Sequence, residues 1–207
     1  MHPNPVYRHA DTARNIAFAR DRAFGVLALN ADDGPLISHI PFELNAPGTQ
    51  VLLHLVRSNP ILRLLEAPMP AVIAIQGPDS YISPDWYGID DQVPTWNYVA
   101  VHLRGTLQIM PQDDLHPMLD RLSAHFEQRL APKRPWRTAK MSNGVMDRMM
   151  RMIVPCRMAV TKIDGTWKLS QNKDDAVRLR AADKMHSDGI GLGLDLLAGF
   201  MRDPPKG

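Results

Sequence analysis

The chain has 207 residues, 44% of them hydrophobic and 22% charged, with a formal net charge of +2. These values suit one sizeable folded core, and so small a net charge does not by itself point to nucleic acid. The single cysteine, Cys156, excludes an intramolecular disulfide, and no apolar run is long enough to span a bilayer. The start, Met1-His2-Pro3-Asn4-Pro5, is broken by proline and lacks the apolar segment of a signal peptide, so a cytoplasmic location is expected.

In chain order, Pro3 and Pro5 predict an extended arm through His9, because proline disfavours helix. Asp11 predicts a helix cap, with the helix running to about Arg22. Strands are predicted at Phe24–Leu29, Leu36–Leu44 and Gln50–Val56, with Pro41 marking an edge, bulge or break. Arg57-Ser58-Asn59-Pro60 closes the third strand and opens a short helix to Glu66, with Ser58 or Asn59 as its cap. Ala71–Ile75 reads as a short strand, Gln76-Gly77-Pro78-Asp79 as a turn, and Tyr81–Tyr87 as an aromatic loop. Val99, Val101 and Leu103 alternate with Ala100, His102 and Arg104, the pattern of a half-buried strand that runs on to Met110. Its entrance carries Trp96, Asn97 and Tyr98, which suit either a wall for a flat polar ring or a well-pinned strand end.

Pro111–Leu130 predicts a helix with an acidic start. Residues 129–151 then hold seven lysines and arginines against one acid, Asp147. Such a segment, with Trp136 inside it, suits nucleic acid, a solvated face or a subunit contact. Arg157–Ile163 reads as a strand, Asp164-Gly165 as a turn, Asp174–Ser187 as a helix and Leu194–Met201 as a last short helix. Gly189–Gly193 reads as a flexible link between the two. Six or so strands in antiparallel order, with helices inserted, favour a β-barrel or an α+β domain over a parallel sheet.

The chemistry-bearing residues are few. No Gly-x-Ser-x-Gly is present, Cys156 has apolar neighbours, and no phosphate-loop or dinucleotide fingerprint occurs, so no catalytic residue is assigned. His39, His54 and His102 fall in strands, but strand spacing does not make them converge, and no metal site is expected. Arg57-Ser58-Asn59 combines a guanidinium, a hydroxyl and a cap amide, which suits either a phosphate or a plain helix cap.

Taken together, Pro5–Arg8, His39–Phe42, His54–Pro60, Gly77–Tyr87, Val93–His102 and Lys168–Asn172 resemble the motifs of the PaiB-type FMN-binding negative transcriptional regulators. The resemblance runs through nearly the whole chain in order. One departure is Met1-His2-Pro3, where an aromatic second residue is common in the family. The resemblance implies a mainly β, α+β fold: an FMN-binding split β-barrel with peripheral and C-terminal helices. Residues 1–172 would form the barrel domain and 173–207 a helical extension packed on it. It also implies a homodimer with FMN held between subunits. Mapped by motif, the phosphate would meet Arg57, Ser58 and Asn59. The ring would lie along Ser38, His39, Ile40 and Pro41 and against Trp96, Asn97 and Tyr98, with Lys168, Ser170 and Gln171 as further contributors. How such a protein would repress transcription is left open between direct DNA contact through residues 129–151 and an indirect metabolic effect. The alternatives are a flavin-dependent oxidoreductase acting on a small molecule and a haem-binding or haem-degrading barrel.

Overall fold

A computed structural model describes residues 2–142 and 144–205. Among these described residues there are seven strands: β1 (Phe24–Leu29), β2 (Leu36–Leu44), β3 (Gln50–Val56), β4 (Met69–Ile82), β5 (Thr95–Ile109), β6 (Ile153–Lys168) and the two-residue β7 (Gly191–Leu192). The helices are α1 (Thr12–Arg22), α2 (Ile61–Leu64), α3 (Leu115–Glu127), α4 (Val145–Met150), α5 (Asp175–Asp188) and α6 (Leu194–Arg202). The sheet order is β1-β2-β3-β6-β5-β4-β7, and a further β1–β4 pairing closes the six long strands into an antiparallel barrel.

The first three strands run over the expected residues; burial alternates along β1 and β2, whereas β3 buries Val51, Leu52 and Leu53 in succession, with Leu52 in a cluster with Leu115 and Met118. Pro41 does not break β2. Phe42 N–H donates to the Ala23 carbonyl at 3.0 Å, so the nitrogen of Pro41 faces the opposite side, where pairing with β3 begins only at Phe42. The missing donor therefore costs no ladder bond.

Four expectations need correction. The N-terminal arm holds a 3₁₀ turn at Pro5–Tyr7, because Asn4 Oδ1 accepts from Val6 N–H at 3.0 Å and Pro5 is tolerated in a first turn. Gly77-Pro78 is not a turn but lies inside the 14-residue β4, and Asp164-Gly165 lies inside the 16-residue β6. Gly189–Gly193 is not a free link, since Gly191 and Leu192 pair with Ser80 and Asp79.

The contacts divide the chain into two compact units. One comprises Ala19–Ala74 and Leu103–Lys162. It contains β1 to β3 and the barrel closure, in which Val26, Leu27 and Ala28 face Ala74, Ile73 and Val72. Its core includes Leu52, Leu115 and Met118, covered by Met110, Leu119, Met150 and Ile153. Strands β5 and β6 approach closely at Gly105, where an added Cβ would lie 2.0 Å from the Ala159 carbonyl oxygen, so only glycine fits.

The other unit comprises the chain up to Phe18, Ile75–His102 and everything from Ile163 onward. Here α5 packs on α6 through Val177, Ala181, Ala182 and Met185 on one helix and Leu197, Ala198 and Met201 on the other. Trp167 is its largest fully buried side chain, edge-on to Phe18 at 5.4 Å and to Phe200 at 5.0 Å. No helix among the described residues is long and apolar enough to cross a membrane.

Candidate functional site

The residues singled out in the sequence fall into two sets, one in each unit. In the first unit, Arg57 and Ser58 form the exposed turn that ends β3. Arg57 is clamped: its Nε donates to the Arg151 carbonyl at 2.8 Å and its Nη2 to Gln112 Oε1 at 3.4 Å. Gln112 is itself held, since its Nε2 donates to the carbonyls of Met150 at 3.0 Å and Ile153 at 3.2 Å. The guanidinium is thereby fixed in orientation while Nη1 makes no hydrogen bond among the described residues. Ser58 Oγ makes none either. Both donors are of the kind a phosphate takes up.

Asn59 is engaged otherwise. Its Oδ1 accepts from Ile61 N–H at 3.0 Å and its Nδ2 donates to Ser38 Oγ at 3.1 Å. It thus starts α2 and ties that turn to β2. Along β2 the side chains alternate: Ile40 enters the core at 2% exposure, whereas His39 is exposed and Ser38 and Pro41 are half-buried.

His54, on β3, is half-buried, and its Nδ1 has no hydrogen-bond partner among the described residues. Burial holds its pKa below the ordinary imidazole value. The folded chain therefore keeps His54 neutral, while the unfolded chain takes up a proton near pH 6.5. Stability is expected to fall as the pH drops through that value toward the lower folded-state pKa. Thermal unfolding of wild type and His54→Phe between pH 8 and 5 checks this: the wild-type melting temperature should fall more steeply than that of the variant. Among the described residues, no group of three or more His, Cys, Asp or Glu is placed to hold a metal ion.

The second unit holds the other set. Strand alternation separates the three residues at the mouth of β5. Trp96, 48% exposed, lies edge-on to Tyr81 at 6.3 Å, and the half-buried Tyr98 shares its face. Asn97 points the other way and is fully buried. Its Nδ2 donates to Ser170 Oγ at 2.9 Å, and Tyr87 Oη shares a hydrogen bond with the same Ser170 oxygen at 3.0 Å. Ser170 is held at φ +61°, a left-handed conformation that few non-glycine residues adopt. Gln171 secures the turn: its Oε1 accepts from Leu169 N–H at 2.8 Å, and its Nε2 donates to the carbonyls of Trp167 and Val6 at 2.6 and 3.1 Å.

Lys168 stays in a cleft of about 320 Å³ whose floor is Asn97, Ser170 and Tyr87. Its Nζ donates to Thr95 Oγ1 and lies 5.8 Å from the Tyr7 ring centre. Burial lowers its pKa and raises those of Tyr7 and Tyr87. Sequence reasoning missed Lys173 and Gln92 in this cleft. Tyr7, Tyr87 and Ser170 do sit in motifs quoted from the sequence, each in a different one, whereas His2, Asn4 and Asp91 of the lining sit in none. In the basic stretch, Arg129 pairs with Asp21 at 3.2 Å and Lys133 pairs with Glu127, which also accepts from Trp136 N–H at 2.6 Å.

Comparison with known proteins supplies the family. A family model described as "Putative FMN-binding domain" matches residues 1–162. The chain is 27% identical over 187 residues to the Protease synthase and sporulation protein PAI 2 of Bacillus subtilis, covering 89% of each chain. Among solved structures, the FAD and heme binding protein from Mycobacterium smegmatis superposes with a TM-score of 0.57 at 18% identity, covering 87% of this chain and 80% of that one. The conserved hypothetical protein Rv2991 from Mycobacterium tuberculosis gives 0.57 at 13%, covering 83% and 94%. These two likenesses bear on the fold alone, and they agree with the closed antiparallel barrel. The chain is therefore a split-barrel member of the FMN-binding domain family to which the PaiB-type proteins belong, and FMN is its cofactor.

Proposed function

We propose that this protein is a homodimeric FMN-binding regulator of the PaiB type, with the flavin phosphate held at the end of β3 by Arg57 and Ser58. One observation carries the site. The Arg57 guanidinium is fixed by the Arg151 carbonyl at 2.8 Å, while its Nη1 and Ser58 Oγ face no partner among the described residues. A phosphate arriving there meets a charged fork already oriented, so little side-chain freedom is lost on binding. Asn59 acts as a positioning residue, because both ends of its amide are committed to Ile61 and Ser38. The flavin ring is assigned to the Ser38–Pro41 stretch of β2, with aromatic cover from Trp96 and Tyr98 of the second copy. Bound FMN supplies one- or two-electron transfer. Negative control of transcription is the role the family resemblance supports.

Sedimentation of the purified chain, followed in the visible flavin band, tests this reading. The expected result is flavin travelling with a particle of twice the chain mass, identified as FMN by mass spectrometry. A flavin-loaded monomer would remove the dimer from the proposal. Steady consumption of a reduced nicotinamide with a small-molecule acceptor would mark an oxidoreductase instead.

A further inference from the structure

The cleft that holds Lys168 carries a second ammonium, and neither belongs to the proposed phosphate site. Lys173 Nζ donates to Gln92 Oε1 and lies 5.4 Å from the Tyr87 ring centre, much as Lys168 donates to Thr95 and lies over Tyr7. Both lysines line the same cavity of about 320 Å³. Each ammonium has three donors and uses one of them on a neutral oxygen. Among the described residues, neither forms an ion pair. Asp91 on the cleft wall is exposed and bonds to neither lysine.

Two half-buried cations sharing a cavity without a counter-ion leave an uncompensated positive potential that a ligand of opposite charge would relieve. The hydroxyls at its base are fixed in advance: Tyr7 Oη donates to Asn172 Oδ1 at 3.2 Å, and Tyr87 Oη is bonded to Ser170. The Tyr7 and Tyr87 rings and Val93 supply apolar wall, and the volume suits a molecule of modest size rather than a bare inorganic ion. The strained Ser170, locked by Asn97 and Tyr87, is further built structure at the floor.

We propose that this cleft binds a small organic anion, a carboxylate or a phosphate ester, with its charged head held by Lys168 and Lys173. The inference deepens the flavin reading by naming the ligand class, and it rests on that reading only in placing the FMN phosphate at Arg57 and Ser58. Calorimetric titration of the flavin-loaded full chain with benzoate, phenyl phosphate and neutral benzyl alcohol tests it. Saturable binding of at least one anion, one per chain, and none of benzyl alcohol is expected. The two anions separate carboxylate from phosphate recognition. Lys173→Met and Lys168→Met should each weaken that binding by at least about ten-fold, and Lys173→Met should leave the flavin content per chain unchanged. Arg57→Ala should lose FMN while keeping the anion, which separates failure of one reading from failure of the other. No saturable binding of either anion, equal binding in wild type and both lysine variants, or loss of FMN from Lys173→Met would each overturn the proposal.

Discussion

Arg57→Ala is expected to release FMN, weakening its affinity by about 10- to 150-fold, as measured by quenching of flavin fluorescence when the apoprotein is titrated. Hydrogen bonds to a charged group contribute about 1.5–3 kcal/mol, which converts to that range. The loss should be concentrated in Arg57, because its fork is already aligned by the Arg151 carbonyl at 2.8 Å and by Gln112. Gln112→Ala removes one support of that alignment without touching the ligand, so a smaller loss is expected. Ser58→Ala should fall between the two. Unchanged affinity in Arg57→Ala would place the phosphate elsewhere.

Trp167→Ala should be the most damaging single change to stability. The indole is 2% exposed, and Phe18 and Phe200 meet it edge-on with interplanar angles of 71° and 69°. Its Nε1 donates to Asn15 Oδ1 at 2.9 Å, and the Arg14 guanidinium lies 4.7 Å from the ring centre. Truncation to alanine removes this packing and opens a cavity, at a cost of about 3–5 kcal/mol. It also leaves a buried Asn15 oxygen without its donor, which adds about 1–3 kcal/mol where water cannot enter. Losses of this size lower the melting temperature of a chain of this length by roughly 10 °C or more. Trp167→Phe keeps most of the ring but not the donor, so it should recover part of the loss. Full recovery by phenylalanine would mean that the Asn15 bond contributes nothing.

The packing around Trp167 also shows what could be read in the sequence and what could not. Strands β1 to β3 were legible because each is a short, apolar-rich run bounded by turn chemistry. The breaks read at Gly77-Pro78 and Asp164-Gly165 rested on the same signals, yet both glycines lie inside long strands. They are there for room. A Cβ at Gly77 would sit 2.7 Å from Phe18 Cζ, and one at Gly165 would sit 2.0 Å from Asn15 Oδ1. Close approach between elements distant in sequence has no local signature, so a packing glycine and a turn glycine look alike.

The candidate site shows the same division. Arg57-Ser58-Asn59 was visible as a cluster and the bond of Asn59 to Ile61 is local, but its bond to Ser38 depends on a partner 21 residues away. Trp96-Asn97-Tyr98 read as one mouth, and the pleat divides it: two aromatics on one face, a buried amide on the other. The cleft shared by Lys168 and Lys173 depends on Gln92 and Thr95, which lie more than 70 residues earlier in the chain. No spacing rule reaches that far.

The two residues of β7 have a consequence for behaviour in a crowded solution. Where β4 continues past its pairing with β1, its backbone at Asp79 and Ser80 would present open donors and acceptors, a template on which another chain can add a strand. Leu192 and Gly191 occupy that template from within the same molecule, and Ser80 Oγ reinforces the cover by donating to the Ile190 carbonyl at 2.8 Å. A Cβ at Gly191 would fall 2.1 Å from the Asp79 carbonyl oxygen, so a bulkier residue would lift the cover off. The short β7 strand thus guards this stretch of β4 against edge-to-edge pairing with another chain.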